Sequence, residues 1–445
     1  MMSQPGVKVK STWALTALAG GCSGRDGAAW VLWDTKRNGK DKIVISRFSA
    51  MLLATLGASF LALAPNVLVV GGNGRVGGST VRWLNKLDSS LSIAIGGRDE
   101  NAFRAMRQRL QIPTLDWQPV DLDGGDAALT AAVAGYDLVV HTAGPFQQRE
   151  DPALLRAAIA AGCPYCDVCD ELLLARNAKE LSAQAEEAGV ACVVSCGIWP
   201  GVSALLAAEA VSKLGGKGAC ERLEFSFFTA GTGGAGPTIV SATFLLLATE
   251  VSCYVNGELV EREPWTDRQV RDFGVGEHEC FLLDNPDVPT TAEALGINDC
   301  SSRFGTAPSF WNTLFGAMKA LPKSLLMDKA KMQALSVFSM PIIRTVDALV
   351  GGTNAMRVDA FGKDGEKVTL RCVHEDLEDC VGQATAAFAL ECLQSSSSLS
   401  SSAAEGGGKT AATIKPGVWF PAELEKAARA NILTKAKERT IVWEV

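Results

Sequence analysis

Histidine is scarce in this 445-residue chain. Only His141, His278 and His374 occur, with no H-x-x-x-H or H-E-x-x-H pair, so no histidine-built metal site is expected. Tyrosine is as rare: none of Tyr136, Tyr165 and Tyr254 has a lysine four positions later, which removes Tyr-x-x-x-Lys chemistry. Charged residues make up 20%, the net charge is −7 and no basic stripe stands out, which excludes nucleic acid as a main partner. The apolar run at residues 51–64 is about fourteen residues long, short of the roughly twenty needed to cross a bilayer, so stable membrane insertion is not expected.

Thirteen cysteines are an odd number and cannot all pair. The scatter of Cys192, Cys196, Cys253, Cys372 and Cys392 through apolar segments indicates buried thiols in a reducing compartment. Cys163, Cys166 and Cys169 form C-x-x-C-x-x-C without a fourth ligand in a familiar spacing, and read as thiols around a strand end. What the chain has in quantity is apolar surface, 47% of residues, enough for sizeable cores. Its length implies two domains.

The richest stretch is Val67-Leu68-Val69-Val70-Gly71-Gly72-Asn73-Gly74-Arg75-Val76-Gly77-Gly78. Four apolar residues read as a buried parallel strand, and residues 79–87 have helical spacing. Gly72, Gly74 and Gly77 fit G-x-G-x-x-G. The first would permit the tight turn, the second admit a pyrophosphate and the third let helix and strand pack closely. The helix N-terminus would present N–H groups to the phosphates.

Residues 1–65 carry eight basic and three acidic residues and are rich in Ala, Gly and Ser, the composition of a removable presequence. Residues 66–200 alternate strand and helix, which predicts a Rossmann-type, doubly wound parallel sheet in an α/β fold. Residues 201–378 lose that alternation and predict a second α+β domain for substrate or dimerisation, with a hairpin at Lys363-Asp364-Gly365. A helix at 383–393, within a returning element at 379–393, precedes a Ser/Gly-rich linker at 394–410 and a C-terminal segment at 411–445.

The second strand ends in Gly97-Arg98-Asp99. Arg98 stands where a guanidinium could grip a 2′-phosphate, with Arg75 in support, so NADP is expected; Asp99 keeps NAD as the alternative. Asp121 ends the third strand and could accept from the adenine amino group or cap a turn. The small residues Ala143, Gly144 and Pro145 after the fourth strand suit backbone passing beneath the cofactor. Together with Asn73 and Val76 these elements converge on the carboxyl ends of the strands, where such sheets bind ligands.

With these residues in view, the chain resembles the saccharopine dehydrogenase-like family, and more closely its plastid-associated members. The resemblance runs through the glycine turn, Gly96-Gly97-Arg98, His141-Thr142-Ala143-Gly144-Pro145-Phe146, Tyr165-Cys166-Asp167-Val168-Cys169-Asp170, Gly197-Ile198-Trp199-Pro200-Gly201, the Gly231–Pro237 stretch and Gly417-Val418-Trp419-Phe420-Pro421. It implies an NAD(P)-dependent oxidoreductase of the C–N type, a substrate-holding second domain and a late helix folding back on the nucleotide domain. It also implies a chloroplast location, with mitochondrion and cytoplasm as alternatives. A homodimer stays open.

Candidate chemistry sits near the strand ends. Asp167 and Asp170 could hold an ammonium or relay a proton, or cap the next helix. His141 could act as acid or base, or be a satisfied strand-end histidine. Gly231, Gly233 and Gly234 lie in a loop able to present N–H groups to a substrate carboxylate, and Arg303 could pair with one. The expected activity is NADP(H)-dependent hydride transfer at a C–N or carbonyl group of a small molecule. The alternatives are a non-catalytic NADP-binding sensor or assembly protein, and a reductase of a lipid-derived substrate, which an apolar tunnel along residues 244–247 would support. A real cavity bordered by the candidate residues would favour an enzyme; a filled one would favour the sensor.

Overall fold

The computed structural model describes residues 31–32, 43–44, 64–144, 146, 148–233, 236–404 and 413–445, with 31–32, 43–44 and 397–404 described by backbone alone. The chain divides into two units, Met1–Leu63 and Ala64–Val445. In the first, Val31–Leu32 pairs antiparallel with Ile43–Val44. Apart from 31–32, 43–44 and 64–65, the presequence expected at 1–65, with nearly all of the apolar run at 51–64, lies outside the described residues.

The second unit opens with β1 (Asn66–Val70) and α1 (Arg75–Leu87), followed by β2 (Ser92–Gly97), α2 (Glu100–Leu110), β3 (Asp116–Pro119) and α3 (Asp126–Val133). The chain then crosses to β4 (Leu138–His141), α4 (Ala153–Ala160), β5 (Tyr165–Asp167), α5 (Leu172–Lys179), α6 (Ser182–Glu187) and β6 (Ala191–Val193). Val67, Leu68 and Val69 are fully buried, which stabilises by about 1.5–3 kcal/mol for each large side chain. The strands are parallel, and successive strands grow outward on opposite sides of β1. The strand order therefore reverses between β1 and β4, and that switch point is where an open α/β sheet forms its ligand crevice.

The structure changes one boundary here. Helix α1 begins at Arg75 rather than residue 79, because Gly77 and Gly78, poor helix formers in isolation, are buried within it. The alternation of strand and helix is also broken between β5 and β6, where two helices, α5 and α6, follow one another.

After α7 (Val202–Lys213) come β7 (Cys220–Ala230), α8 (Pro237–Leu246), β8 (Val251–Val255), β9 (Glu258–Arg262), β10 (Gln269–Asp272) and β11 (Glu277–Leu282). Then follow α9 (Asp287–Leu295), β12 (Asp299–Ala307), α10 (Phe310–Met318), α11 (Lys323–Leu326), α12 (Lys329–Val350), β13 (Thr353–Gly362) and β14 (Lys367–His374). These strands, with a late strand described below, form a nine-stranded mixed sheet in which β7 and β12 run parallel. The expected hairpin joins β13 and β14, with Gly365 at φ +80° in the turn. Helices α8, α10, α11 and α12 make a separate apolar layer: Phe244, Leu245, Leu326 and Met332 pack together, and Ser336 donates to the Pro237 carbonyl at 2.6 Å.

The chain then returns. Helix α13 (Leu377–Ala404) lies against α1 so closely that a Cβ on Gly382 would stand 2.5 Å from Ser79 Cβ. Asp379 accepts from Trp83 Nε1 at 2.7 Å and pairs with Arg82 and Arg439. This helix continues to residue 404, so the linker expected at 394–410 is helical over its first part. Ser395 is buried there and accepts from Ile414 N–H at 3.0 Å, which ties the serine run to the chain beyond it. The C-terminal segment is more than a helix: β15 (Gly417–Trp419) adds to β6 as the seventh parallel strand, α14 (Lys426–Ala436) follows, and β16 (Val442–Glu444) pairs with β14. The twelve described cysteines are buried and unbridged, and burial pushes the Cys163 thiol up to about 12.

Candidate functional site

The glycine turn joins β1 to α1 at the switch point. Gly71, not Gly72, has the left-handed φ of +85°, and its carbonyl accepts from Gly74 N–H at 2.8 Å. The tight turn thus depends on the residue before the fingerprint, and the role assigned to Gly72 moves one position back. A Cβ on Gly77 would meet Thr142 Oγ1 at 2.6 Å, which confirms the close helix–strand approach. A Cβ on Gly74 would meet only the Gly71 carbonyl oxygen, at 3.2 Å, so this face of the turn is open. Gly74 is the N-cap of α1 and supplies no side-chain cap to its first turn, the end of a helix that favours an anion. Asn73 donates to the Asp99 carbonyl at 3.3 Å, while its own Oδ1 is buried without a protein partner. An uncapped helix start, an open glycine and an orphaned buried acceptor fit a dinucleotide.

At the end of β2, Asp99 caps α2 by accepting from Asn101 and Ala102 N–H at 2.8 and 3.2 Å. Its carboxylate is therefore engaged, while Arg98 beside it is exposed. Asp121 accepts from Asp123 N–H at 3.2 Å and closes a turn. Arg75, expected to assist Arg98, is instead ion-paired with Glu378 of α13 and lies beside Gly236. Ala143 packs on the turn: a Cβ on Gly71 would stand 2.5 Å from its nitrogen. Gly144 follows it, and Pro145 lies outside the described residues.

His141 ends β4 and Asp167 ends β5, in register with each other. They are linked by Tyr165, whose hydroxyl lies 2.9 Å from His141 Nδ1 and donates to Asp167 Oδ2 at 3.1 Å. Asp167 Oδ1 also accepts from Ser195 and Cys169 N–H at 2.7 and 3.0 Å. Burial raises the Asp167 carboxyl to about 6, and its hydrogen bonds only partly oppose that. Burial, with the Arg149 charge in support, lowers His141 to about 3, so its imidazole is neutral near pH 7. These two candidates for acid–base work form a buried network that fastens β5 to the chain after β6. Neither borders the cavity, and the network gives them a positioning role, the structural alternative that the sequence left open.

That cavity has a volume of about 770 Å³. One end is bordered by Arg149, Glu150, Asp170 and Glu171, from the loops that follow β4 and β5. From there it passes Trp199, Phe227, Thr229 and Thr306 into the layer built by α8, α10 and α12, where Ile239, Phe244, Phe315 and Ile343 line it. Phe244, Leu245 and Leu246 all contribute, as the tunnel expectation required for that stretch; Leu247 turns away into a cluster with Trp265 and Leu283. Of the three catalytic candidates, only Asp170 stands at its border.

The two anchors expected for a substrate carboxylate are both otherwise engaged. Along β12, Ser302, Phe304 and Thr306 face the cavity, and the period of two turns Arg303 to the opposite side. There it is buried, ion-paired with Asp267, and donates to Ser301 Oγ at 3.0 Å. The loop after β7 does hold a carboxylate, but it is the protein's own. Thr232 donates to Asp347 of α12 from its N–H at 2.8 Å and from its hydroxyl at 2.7 Å. Gly231 borders the cavity, Gly233 packs on Asn354, and Gly234 lies outside the described residues. The lining from α10 and α12 had no motif to announce it; the apolar composition of residues 329–350 was the only signal.

Comparison with known proteins agrees with this geometry. Residues 67–193 match the family model described as saccharopine dehydrogenase NADP binding domain. The described fold resembles that of apo saccharopine dehydrogenase (L-Glu forming) from Saccharomyces cerevisiae, with a TM-score of 0.57 and 13% identity over 85% of this chain and 100% of that one. Curated relatives named trans-acting enoyl reductase are 31% identical over 133 residues in Mycobacterium ulcerans and 30% identical over 134 residues in Mycobacterium tuberculosis. The match spans 29–30% of this chain and 32% of each relative, about a third of their length. Residues 67–193 are thus similar to a saccharopine dehydrogenase NADP binding domain, and they form most of a Rossmann-type sheet joined to a second mixed-sheet domain.

Proposed function

We propose that this protein is an NADP(H)-dependent reductase whose substrate is an elongated, largely apolar molecule with an uncharged reacting group. The observation that carries this reading is the composition of the cavity. It opens near the carboxyl ends of the parallel strands and continues between apolar helices, and Arg149 is the sole cation among its described lining residues. An amino acid or keto acid would need cations to hold its carboxylates, and Arg303 is spent on Asp267. A neutral ester, thioester, ketone or aldehyde on a hydrocarbon chain needs none.

In such a reaction the nicotinamide supplies hydride to an electrophilic carbon, and the protein orients the two and delivers a proton. Asp170 and Glu171 stand at the end of the cavity where that proton would be needed. The relatives named trans-acting enoyl reductase, similar over a stretch of 133 residues, support reduction over C–N chemistry. The cavity itself supports an enzyme over a sensor, although of the described candidate residues only Asp170 and Gly231 border it. The choice of NADP over NAD rests on exposed Arg98 and on the engagement of Asp99 as a helix cap.

The test is a screen of NADPH oxidation against long-chain enoyl thioesters, long-chain carbonyls and amino-acid–keto-acid pairs. Turnover of an apolar series, rising with chain length, is expected. Turnover of amino- or keto-acid pairs alone would restore the C–N reading, and tight NADPH binding without any turnover would favour the sensor.

A further inference from the structure

The apolar cavity does not end inside the protein. Leu314, Leu321, Met327, Leu335, Phe338 and Ile342 line it and are also exposed, so its far end opens among hydrophobic side chains on the surface. The most exposed are on α12: Phe338 at 78%, Ile342 at 60% and, one further turn pair along, Leu349 at 82%. Residues 335, 338, 342 and 349 recur at helical spacing, which gives α12 one continuous apolar stripe facing outward. Its inner face is held elsewhere, by Met332, Ser336 and Ile343 against the neighbouring layer. Contiguous apolar surface of this kind is uncommon on a monomeric soluble protein and marks a contact site.

We propose that α10, α11 and α12 rest on a lipid bilayer surface and that the cavity draws its substrate directly from that surface. A spanning role for α12 is ruled out by its attachments. It is 22 residues long and apolar enough to cross a membrane by composition. But Asp347 near its C-terminal end is clamped to Thr232, and Ser336 at its middle to Pro237, so the helix lies along the second domain. A helix fixed along one face of a folded domain can lie in the interface plane without crossing the bilayer.

Charge points the same way. In a chain of net charge −7, residues 309–350 carry Lys319, Lys323, Lys329, Lys331 and Arg344 against Asp328 and Asp347. Lys319 and Lys323 pair with Glu263 and Glu250, and Lys331 pairs with Asp328 across an exposed turn. With Glu250 and Glu263 counted, the patch still holds five basic residues against four acidic in an otherwise acidic chain, and a cationic excess flanking an apolar stripe is what an anionic lipid surface attracts. The proposal shares the cavity with the reductase reading but not its chemistry: docking is read without substrate, so either can fail alone.

The experiment is flotation of the full chain with vesicles of phosphatidylcholine, and of phosphatidylcholine mixed with phosphatidylglycerol. Flotation with the mixed vesicles, and weaker flotation with phosphatidylcholine alone, is expected. The variant Phe338→Glu/Leu349→Glu should bind the mixed vesicles about tenfold less and retain NADPH affinity, and Lys329→Glu/Lys331→Glu should lose much of the preference for the anionic lipid. No flotation with either vesicle overturns the proposal, as does flotation indifferent to Phe338→Glu/Leu349→Glu. A dimer in solution that this variant dissociates, without vesicle binding, also overturns it and assigns the patch to a second copy of the chain.

Discussion

Gly77 and the carbonyl oxygen of Gly71 stand so close that a Cβ on residue 77 would lie 2.3 Å from that oxygen. The first helix of the nucleotide unit is thereby pressed onto its own preceding turn. Substituting Gly77→Ala should displace α1 at its start, at a cost of about 1–3 kcal/mol in stability. NADPH affinity should fall at least about tenfold with it, because the helix N-terminus would no longer face the phosphates. Urea unfolding and nucleotide fluorescence measure the two effects. Gly74→Ala is the contrast: its Cβ meets one oxygen at 3.2 Å, so nucleotide affinity should suffer more than stability.

Arg98→Asp should erase the preference for NADPH over NADH. A charge-assisted contact to a phosphate contributes about 1.5–3 kcal/mol, on the order of a ten- to hundredfold change in Kd for NADPH. NADH affinity should change little. Paired titrations with both nucleotides check this, and an undiminished NADPH preference would locate the phosphate grip elsewhere.

The buried pair His141 and Asp167 predicts opposed pH dependences. His141 is lowered to about 3, so the stability it contributes is present above its unfolded value near 6.5 and is lost as the pH falls. His141→Gln should therefore spare the chain about 2 kcal/mol of loss between pH 8 and pH 5. Asp167 is raised to about 6, so its contribution is full below its unfolded value near 3.8 and is lost as the pH rises through 6. Asp167→Asn should remove that fall. The unsubstituted chain, in which the two partly offset, should have a flatter profile around pH 5 than either variant in denaturant midpoints.

Ala242 borders the cavity on α8, and Ala242→Trp should block the passage toward the helical layer. Turnover of long-chain substrates should fall about tenfold or more while short-chain turnover and NADPH binding persist. A steady-state series across chain length reads this directly. An equal loss at every length would mean that the helical layer does not hold the substrate.

Most of the parallel sheet was legible because buried parallel strands announce themselves as short apolar runs bounded by turns. The seventh strand was not: Gly417–Trp419 is three residues long and follows a low-complexity stretch, so only its pairing with β6 reveals it. The glycine turn was readable, yet which glycine needs the left-handed backbone was off by one, since the pattern does not report φ. Site residues fared worse for a physical reason. Asp167 and Arg303 are chemically suited to catalysis and to carboxylate binding, but hydrogen-bond partners distant in sequence, Ser195 and Asp267, had already claimed them. The cavity needed no polar motif, so the sequence offered only the apolar stretches of α8 and α12 as pointers.

Strand β15 gives the nucleotide sheet a delayed completion. Ribosomal synthesis releases β1 through β6 early, but the edge beside β6 stays uncapped until some two hundred further residues have emerged, the whole second domain among them. During that interval β6 is a bare template for any extended stranger. Maturation of the coenzyme-binding half is therefore tied to successful folding of its partner, and a clipped tail would harm both halves at once.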